Sequence, residues 1–219
     1  IIFFFLLVNA LFNYKVALLS SFILTVIPMF LHRTLSGFSD KEAAATAIIF
    51  ASLYFYVLAW KTNKIWKVLL FSFLAGICTA SSLLAWGGGN IFTFVIGAFI
   101  LTEVILNKLT KKDFYRDCIW FVTTFFILVI TNKYPIIELL TSITTMIAVF
   151  AFVSVLVFYL IQYKNVFKLK DKFENKVPLG VFSAIISAIF GILVMTIFVS
   201  PTFVVDKVND LIISAVNPF

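Results

Sequence analysis

Charge is what this chain has least of. Only 12% of its 219 residues are Asp, Glu, Lys or Arg, against roughly 25% in an ordinary soluble domain. So little polar surface cannot cover the chain in water, which excludes the soluble domain or two that its length would otherwise allow. Histidine is limited to one residue and cysteine to Cys78 and Cys118. The thiols stand apart, with no CxxC spacing and no partnering histidine, so metal and redox roles have little support and buried free thiols are expected. An initial methionine and a basic flank are also missing. The chain opens on Ile1-Ile2-Phe3-Phe4-Phe5, inside an apolar run as a fragment would, and no cleavable signal peptide can be read there.

Apolar residues fill the space that charge leaves. They make up 63% of the chain, 28 of them Phe, and the mean hydropathy is +1.12. Such a chain is solvated by lipid. Because a bilayer core takes about 20 apolar residues as helix, eight runs are predicted to span it. They are Ile1–Phe12, Val16–Leu31, Ala43–Trp60, Ile65–Ala85, Ile91–Leu106, Cys118–Thr131, Ile136–Gln162 and Leu179–Ser200. Trp60, Trp86 and Tyr163 close runs as interfacial anchors do. The runs lack the period-two alternation of a lipid-facing barrel. The expected class is an all-α, polytopic transmembrane helical bundle of about eight spans.

The formal charge of +7 raises the question of a nucleic-acid partner, and its distribution answers it. No basic stretch is interleaved with stacking aromatics, so no nucleic acid is expected. Lysines gather instead around Lys15, Lys61–Lys67, Lys108–Arg116 and Lys164–Lys176, leaving only Arg33, Lys41, Lys133 and Lys207 for the alternate loops. The positive-inside rule places the first set in the cytosol, where juxtamembrane charge meets anionic lipid. His32–Glu42, Trp86–Asn90, Thr131–Pro135 and the tail from Pro201 then face outward.

Most polar residues read as structural. Tyr163–Lys176 and Lys108–Asp117 are expected to be solvated, lipid-proximal connectors. Glu103, near the inner end of its span, lies within reach of Lys108 or water. Glu138 follows Pro135 at a helix start, where the helix dipole favours a carboxylate. No span carries an ionisable residue at its centre, which argues against an ion-coupled transporter.

The outward segment His32–Glu42 is different. It concentrates Arg33, Gly37, Asp40 and Glu42 after a helix end containing Pro28. Asp40 and Glu42, two apart in a loop, can converge on one hard divalent cation and leave positions open for phosphate oxygens. A purely structural role competes: Ser39-x-x-Glu42 forms a capping box, with Asp40 as a first-turn acid. The second outward feature is Trp86-Gly87-Gly88-Gly89-Asn90, whose glycines permit a tight reversal and close approach by a ligand. A plain interfacial turn is the other reading.

At these residues the chain resembles a known family. The run RTLSGFSDKEA (Arg33–Ala43) is similar to the R-T/S-x-S/A-G-x-x-D-x-D/E motif in the catalytic subunit of oligosaccharyltransferase, the enzyme of asparagine-linked protein glycosylation. The family carries a Trp-Gly-Gly turn two helices later, matched by AWGGGN (Ala85–Asn90), and six helices between the motif and its long fifth external loop, matched by six runs from Ala43 to Ser200. The resemblance covers essentially the whole chain. It implies a partial transmembrane domain over residues 1–219, helices two to nine of thirteen, with the architecture of the C-type lipid-sugar glycosyltransferases. The first external loop with its own Asp motif, the fifth-loop glutamate and the soluble C-terminal domain that reads the acceptor have no counterpart here.

The resemblance also implies chemistry. Asp40 and Glu42 would bind a catalytic Mg²⁺ or Mn²⁺, with Arg33 as electrostatic support near the carboxylates or the lipid phosphate. Gly37 would allow the turn that delivers Asp40. Trp86, Gly87 and Gly88 would lie on the lipid-donor side. The substrates would be a lipid-linked oligosaccharide and an acceptor polypeptide bearing Asn-x-Ser/Thr. The protein would be a multi-pass integral membrane enzyme, a dolichyl-(di)phosphooligosaccharide-protein glycosyltransferase, in the cell membrane of a prokaryote or the endoplasmic reticulum of a eukaryote. Another transferase using polyprenyl-phosphate sugars, such as a protein mannosyltransferase, is the nearest alternative. A transporter or channel is supported by helix count alone.

Overall fold

The computed structural model describes residues 1–28, 30–31, 41–166, 178–202, 205–206 and 209. All regular structure among them is helical, as the apolar runs predict. In chain order the helices are α1 (Ile2–Leu11), α2 (Tyr14–Val26), α3 (Lys41–Lys61), α4 (Ile65–Ala85), α5 (Asn90–Ile105), α6 (Lys111–Ile130), α7 (Ile136–Thr141), α8 (Ile143–Lys164) and α9 (Leu179–Phe198). A 3₁₀ turn, Gly87–Gly89, joins α4 to α5. Five stretches, given by α3, α4, Gly87–Ile105, Thr144–Lys164 and α9, are long and apolar enough to cross a membrane.

Short links fold α1 back against α2 and α3 back against α4. α3 and α4 form the most extensive pair, α4 continues onto α6, and α5 packs on α8, which also holds α9. Asparagine closes three of the helices. Asn107, Asn132 and Asn165 adopt the left-handed conformation, with φ of 54°, 53° and 46°, where a short polar side chain is tolerated and ends a helix. Close approach is secured by small residues. A Cβ on Gly76 would lie 2.7 Å from Thr123 Cβ of α6, and one on Gly180 would lie 1.8 Å from the carbonyl oxygen of Val104. With no hydrophobic drive between helices in lipid, such tight packing holds the bundle.

Aromatic and polar contacts fill the interior. Phe121 stacks on Phe152 at 4.1 Å and 4°, and Phe114 on Tyr159 at 3.9 Å. Trp120, fully buried, donates from Nε1 to Thr79 Oγ1 at 3.0 Å, and Ser52 Oγ lies 2.6 Å from the same Thr79 hydroxyl. One hydroxyl on α4 thus ties α3 to α6.

Several boundaries depart from the hydropathy runs. The run Ile136–Gln162 is two helices, broken where Ser142 takes an extended backbone of φ −64° and ψ 134°. α1 and α2 have only 10 and 13 residues, and α2 stops where Ile27 turns extended ahead of Pro28, whose ring disfavours helix in the residue before it. Cys78 and Cys118 are free, as expected, but half-buried rather than buried.

The largest correction concerns the charged residues assigned to a solvated connector. α6 starts at Lys111, not Cys118, with a capping box between Thr110 and Asp113. Its first turns carry Asp113, Arg116 and Asp117 into the interior, where all three are buried. Arg116 donates from Nε to Asp117 Oδ1 at 2.7 Å and from Nη1 to Asp113 Oδ1 at 2.9 Å. Its Nη2 pairs with Glu103 Oε2 of α5 and reaches Asp117 Oδ2 at 3.1 Å. The Glu103 carboxylate therefore answers to Arg116 and to Trp60 Nε1, 3.1 Å away, while Lys108 meets Glu103 through the backbone, its N–H donating to the Glu103 carbonyl at 2.9 Å. Tyr56 of α3 completes the node by donating to Asp117 Oδ1 at 2.7 Å. Its ring lies 5.1 Å from the guanidinium carbon.

Candidate functional site

The two ends of the bundle differ in chemistry. α3 begins at Lys41-Glu42 and ends at Lys61, so its 21 residues separate the ends by about 30 Å at 1.5 Å per residue. The hairpin of α3 and α4 returns the chain to the Glu42 end, where the Gly87–Gly89 turn packs against α3 and α4. The structure therefore brings Glu42 and the Trp86–Gly88 turn to the same end. Arg33, Asp40, Gly37, His32 and Ser39, and with them the predicted capping box, lie outside the described residues.

Glu42 stands in the first turn of α3, half-buried, where the exposed N–H groups and helix dipole favour a negative charge. Thr46 donates its hydroxyl to the Glu42 carbonyl at 2.7 Å, which steadies the first turn. Immediately beside it opens a mostly apolar cleft of about 230 Å³, lined by Ile1, Phe30, Ala43, Thr46, Ala47 and Phe50. The runs of α1 and α3 hid this cleft, since it forms only where the two helices meet the Phe30 turn. Ala43, the residue after Glu42, lines this cleft, and an apolar cleft of this kind can receive the tail of an amphipathic ligand.

The Trp86 turn is built from its own sequence. Trp86 is extended, with φ −149° and ψ 126°, and this ends α4. Gly89 N–H then donates to the Trp86 carbonyl at 3.0 Å. The indole lies over Gly88, where an added Cβ would fall 2.3 Å from its Cζ2. Gly89 is buried against Ser82, whereas Gly87 faces open space. Glycine is thus required at Gly88 for close approach and not at Gly87.

Beyond the turn, a cavity of about 20 Å³ is lined by polar side chains of Asn90, Tyr134, Glu138, Ser142 and Thr145, a volume that suits one water. Tyr134 donates to the Leu83 carbonyl at 3.1 Å. Its burial, and secondarily the charge of Glu138, hold that hydroxyl above the usual tyrosine range. Glu138 opens α7 after Pro135, as expected. This group was not singled out from the sequence, because only the break at Ser142 turns Ser142 and Thr145 toward Asn90.

Among the described residues no three His, Cys, Asp or Glu side chains converge as a metal group. Glu42 supplies one hard oxygen donor. Its predicted partner Asp40 lies beyond the described segment.

The fold defines an integral membrane protein: a bundle of long apolar helices whose charged residues, among those described, gather toward its ends. The sequence model of the family described as "Oligosaccharyl transferase STT3, N-terminal" matches residues 1–215. The chain belongs to that family, and with it to the oligosaccharyltransferase class of enzymes. No curated protein matches it.

Proposed function

We propose that the protein containing this chain transfers an oligosaccharide from a polyprenyl mono- or diphosphate to the side-chain amide of asparagine in acceptor polypeptides. The family match over residues 1–215 carries this reading. In the reaction the anomeric C–O bond to phosphate breaks and a C–N bond to the amide forms, with loss of an amide proton. An amide nitrogen is a weak nucleophile, and the departing phosphate needs its charge offset. Glu42, with Asp40 two residues before it, offers the oxygen donors that suit Mg²⁺ or Mn²⁺. When bound, such an ion supplies neutralisation of charge on the leaving phosphate.

The chain's own residues account for the rest of the arrangement. Arg33 adds positive charge near the phosphate, and Gly37 permits the turn that carries Asp40. The cleft beside Glu42 takes the first apolar units of the carrier, and the Trp86-Gly87-Gly88 turn borders the same donor. The lysine-poor end that bears these residues faces the lumen or cell exterior, in a multi-pass domain of about eight spans corresponding to helices two to nine of the family. Sequon recognition belongs to parts of the complete enzyme outside this domain.

The test is transfer to a sequon peptide by the complete protein carrying Asp40→Ala, which should fall to near background. Transfer at a near-normal rate would remove Asp40 from the site. Chelation followed by Mg²⁺ or Mn²⁺ should abolish and then restore activity, and activity indifferent to chelator would remove the ion.

A further inference from the structure

The end of the bundle opposite Glu42 carries a chemistry that glycosyl transfer does not use. Contacts between helix ends define it. Lys61 Nζ reaches the Ala10 carbonyl at the close of α1. Lys112 Nζ donates to the Trp60 carbonyl at 2.9 Å. Tyr163 Oη donates to the Leu109 carbonyl at 3.4 Å, and Gly180 N–H meets Asn107 Oδ1 at 2.5 Å. The ends of α1, α3, α5 and α8 and the starts of α2, α4, α6 and α9 therefore share one rim.

Eight lysines lie on that rim. Lys15, Lys61, Lys64, Lys108, Lys111 and Lys164 are exposed, and Lys67 and Lys112 half-buried. The rim's carboxylates among the described residues are Glu103, Asp113 and Asp117, and their side chains are only 12%, 7% and 1% exposed. Arg116 binds all three. The node thus turns these anions toward Arg116 and away from the surface; of the rim lysines only Lys112 reaches one among the described residues, its Nζ 4.0 Å from Asp113 Oδ1. Trp60, Trp66 and Tyr115 are exposed beside the lysines, at the depth where amphipathic rings meet lipid headgroups.

We propose that this rim is a binding surface for anionic phospholipid headgroups. A ring of lysines bordering an apolar, lipid-facing belt meets phosphate at the level of the headgroups, and the exposed rings fix that level. Recognition is by charge, at a rate of about 1 kcal/mol per lysine near an anionic surface. It weakens with salt as such contacts are screened.

The test reconstitutes the chain in phosphatidylcholine vesicles and compares spin-labelled phosphatidylglycerol with spin-labelled phosphatidylcholine at the protein boundary. The expected result is about fivefold stronger association of phosphatidylglycerol, the factor given by a single such lysine contact, falling as salt rises. Replacing the six exposed lysines by Gln should remove the preference, replacing them by Arg should retain it, and Lys133→Gln at the other end should leave it unchanged. Equal association of the two lipids by the unaltered chain, or a preference that survives the six Gln substitutions or high salt, would overturn the assignment. So would retention of soluble polyphosphate in detergent by a chain that shows no preference for the anionic lipid.

Discussion

Tyr56 on α3 donates its hydroxyl to Asp117 on α6 at 2.7 Å, and Asp117 also holds Arg116. The pair joins two helices that otherwise meet sparingly, at a place where water cannot substitute for a lost partner. Removing the hydroxyl with Tyr56→Phe leaves a buried acceptor short of one donor, at a cost of about 1–3 kcal/mol. Thermal unfolding in detergent should show a lower midpoint for this variant.

Arg116 should matter more than Tyr56. It faces three carboxylates, and Arg116→Met would leave them uncompensated, a loss of about 3–5 kcal/mol when one partner of a buried charge pair is removed. The expected order of stability is wild type, then Tyr56→Phe, then Arg116→Met. A reversed order of the two variants would mean that the node is held by its hydroxyl and not by its guanidinium.

Gly180 and Gly191 lie on one helix and should respond oppositely. A Cβ at Gly180 would penetrate the Val104 carbonyl, whereas one at Gly191 meets nothing within 4 Å. Gly180→Ala should destabilise by about 1–3 kcal/mol through overpacking and loosen α9, with faster amide exchange along it. Gly191→Ala should be neutral or slightly stabilising.

The Trp86 turn offers a similar contrast with an activity readout. In the complete enzyme, Gly88→Ala would displace the indole, whereas Gly87→Ala would project into open space. If the turn borders the lipid donor, Gly88→Ala should raise KM for the lipid-linked oligosaccharide several-fold with little change for the peptide. Gly87→Ala should be near wild type in both.

Tyr134 gives a pH dependence. Its hydroxyl is held above the usual tyrosine value, chiefly by burial, so the folded state keeps a proton that the unfolded chain releases. The associated stability is full below the unfolded pKa and is lost as pH rises through the folded one. Alkaline unfolding curves should therefore fall less steeply for Tyr134→Phe.

The sequence by itself determined the solvent, the helical class and the family. Composition decides whether lipid or water surrounds a chain, and the helix-length apolar runs and the Arg33–Ala43 and Ala85–Asn90 motifs are local, so each survives reading along one dimension. It also placed Glu138 at a helix start, a matter of one neighbouring proline. Only tertiary structure decided the fate of Glu103, Asp113, Arg116 and Asp117, which looked like rim and loop charges. Their partners come from α3, α5 and α6, and a buried charge is recognised by convergence across helices that spacing does not encode. The break at Ser142 was hidden for another reason: hydropathy is blind to backbone dihedrals, and an apolar run reads the same whether or not one residue in it is extended. The lysine rim needed both levels. The lysines were visible in the sequence, but only the packing of α5 and α6 showed that Glu103, Asp113 and Asp117 are turned inward.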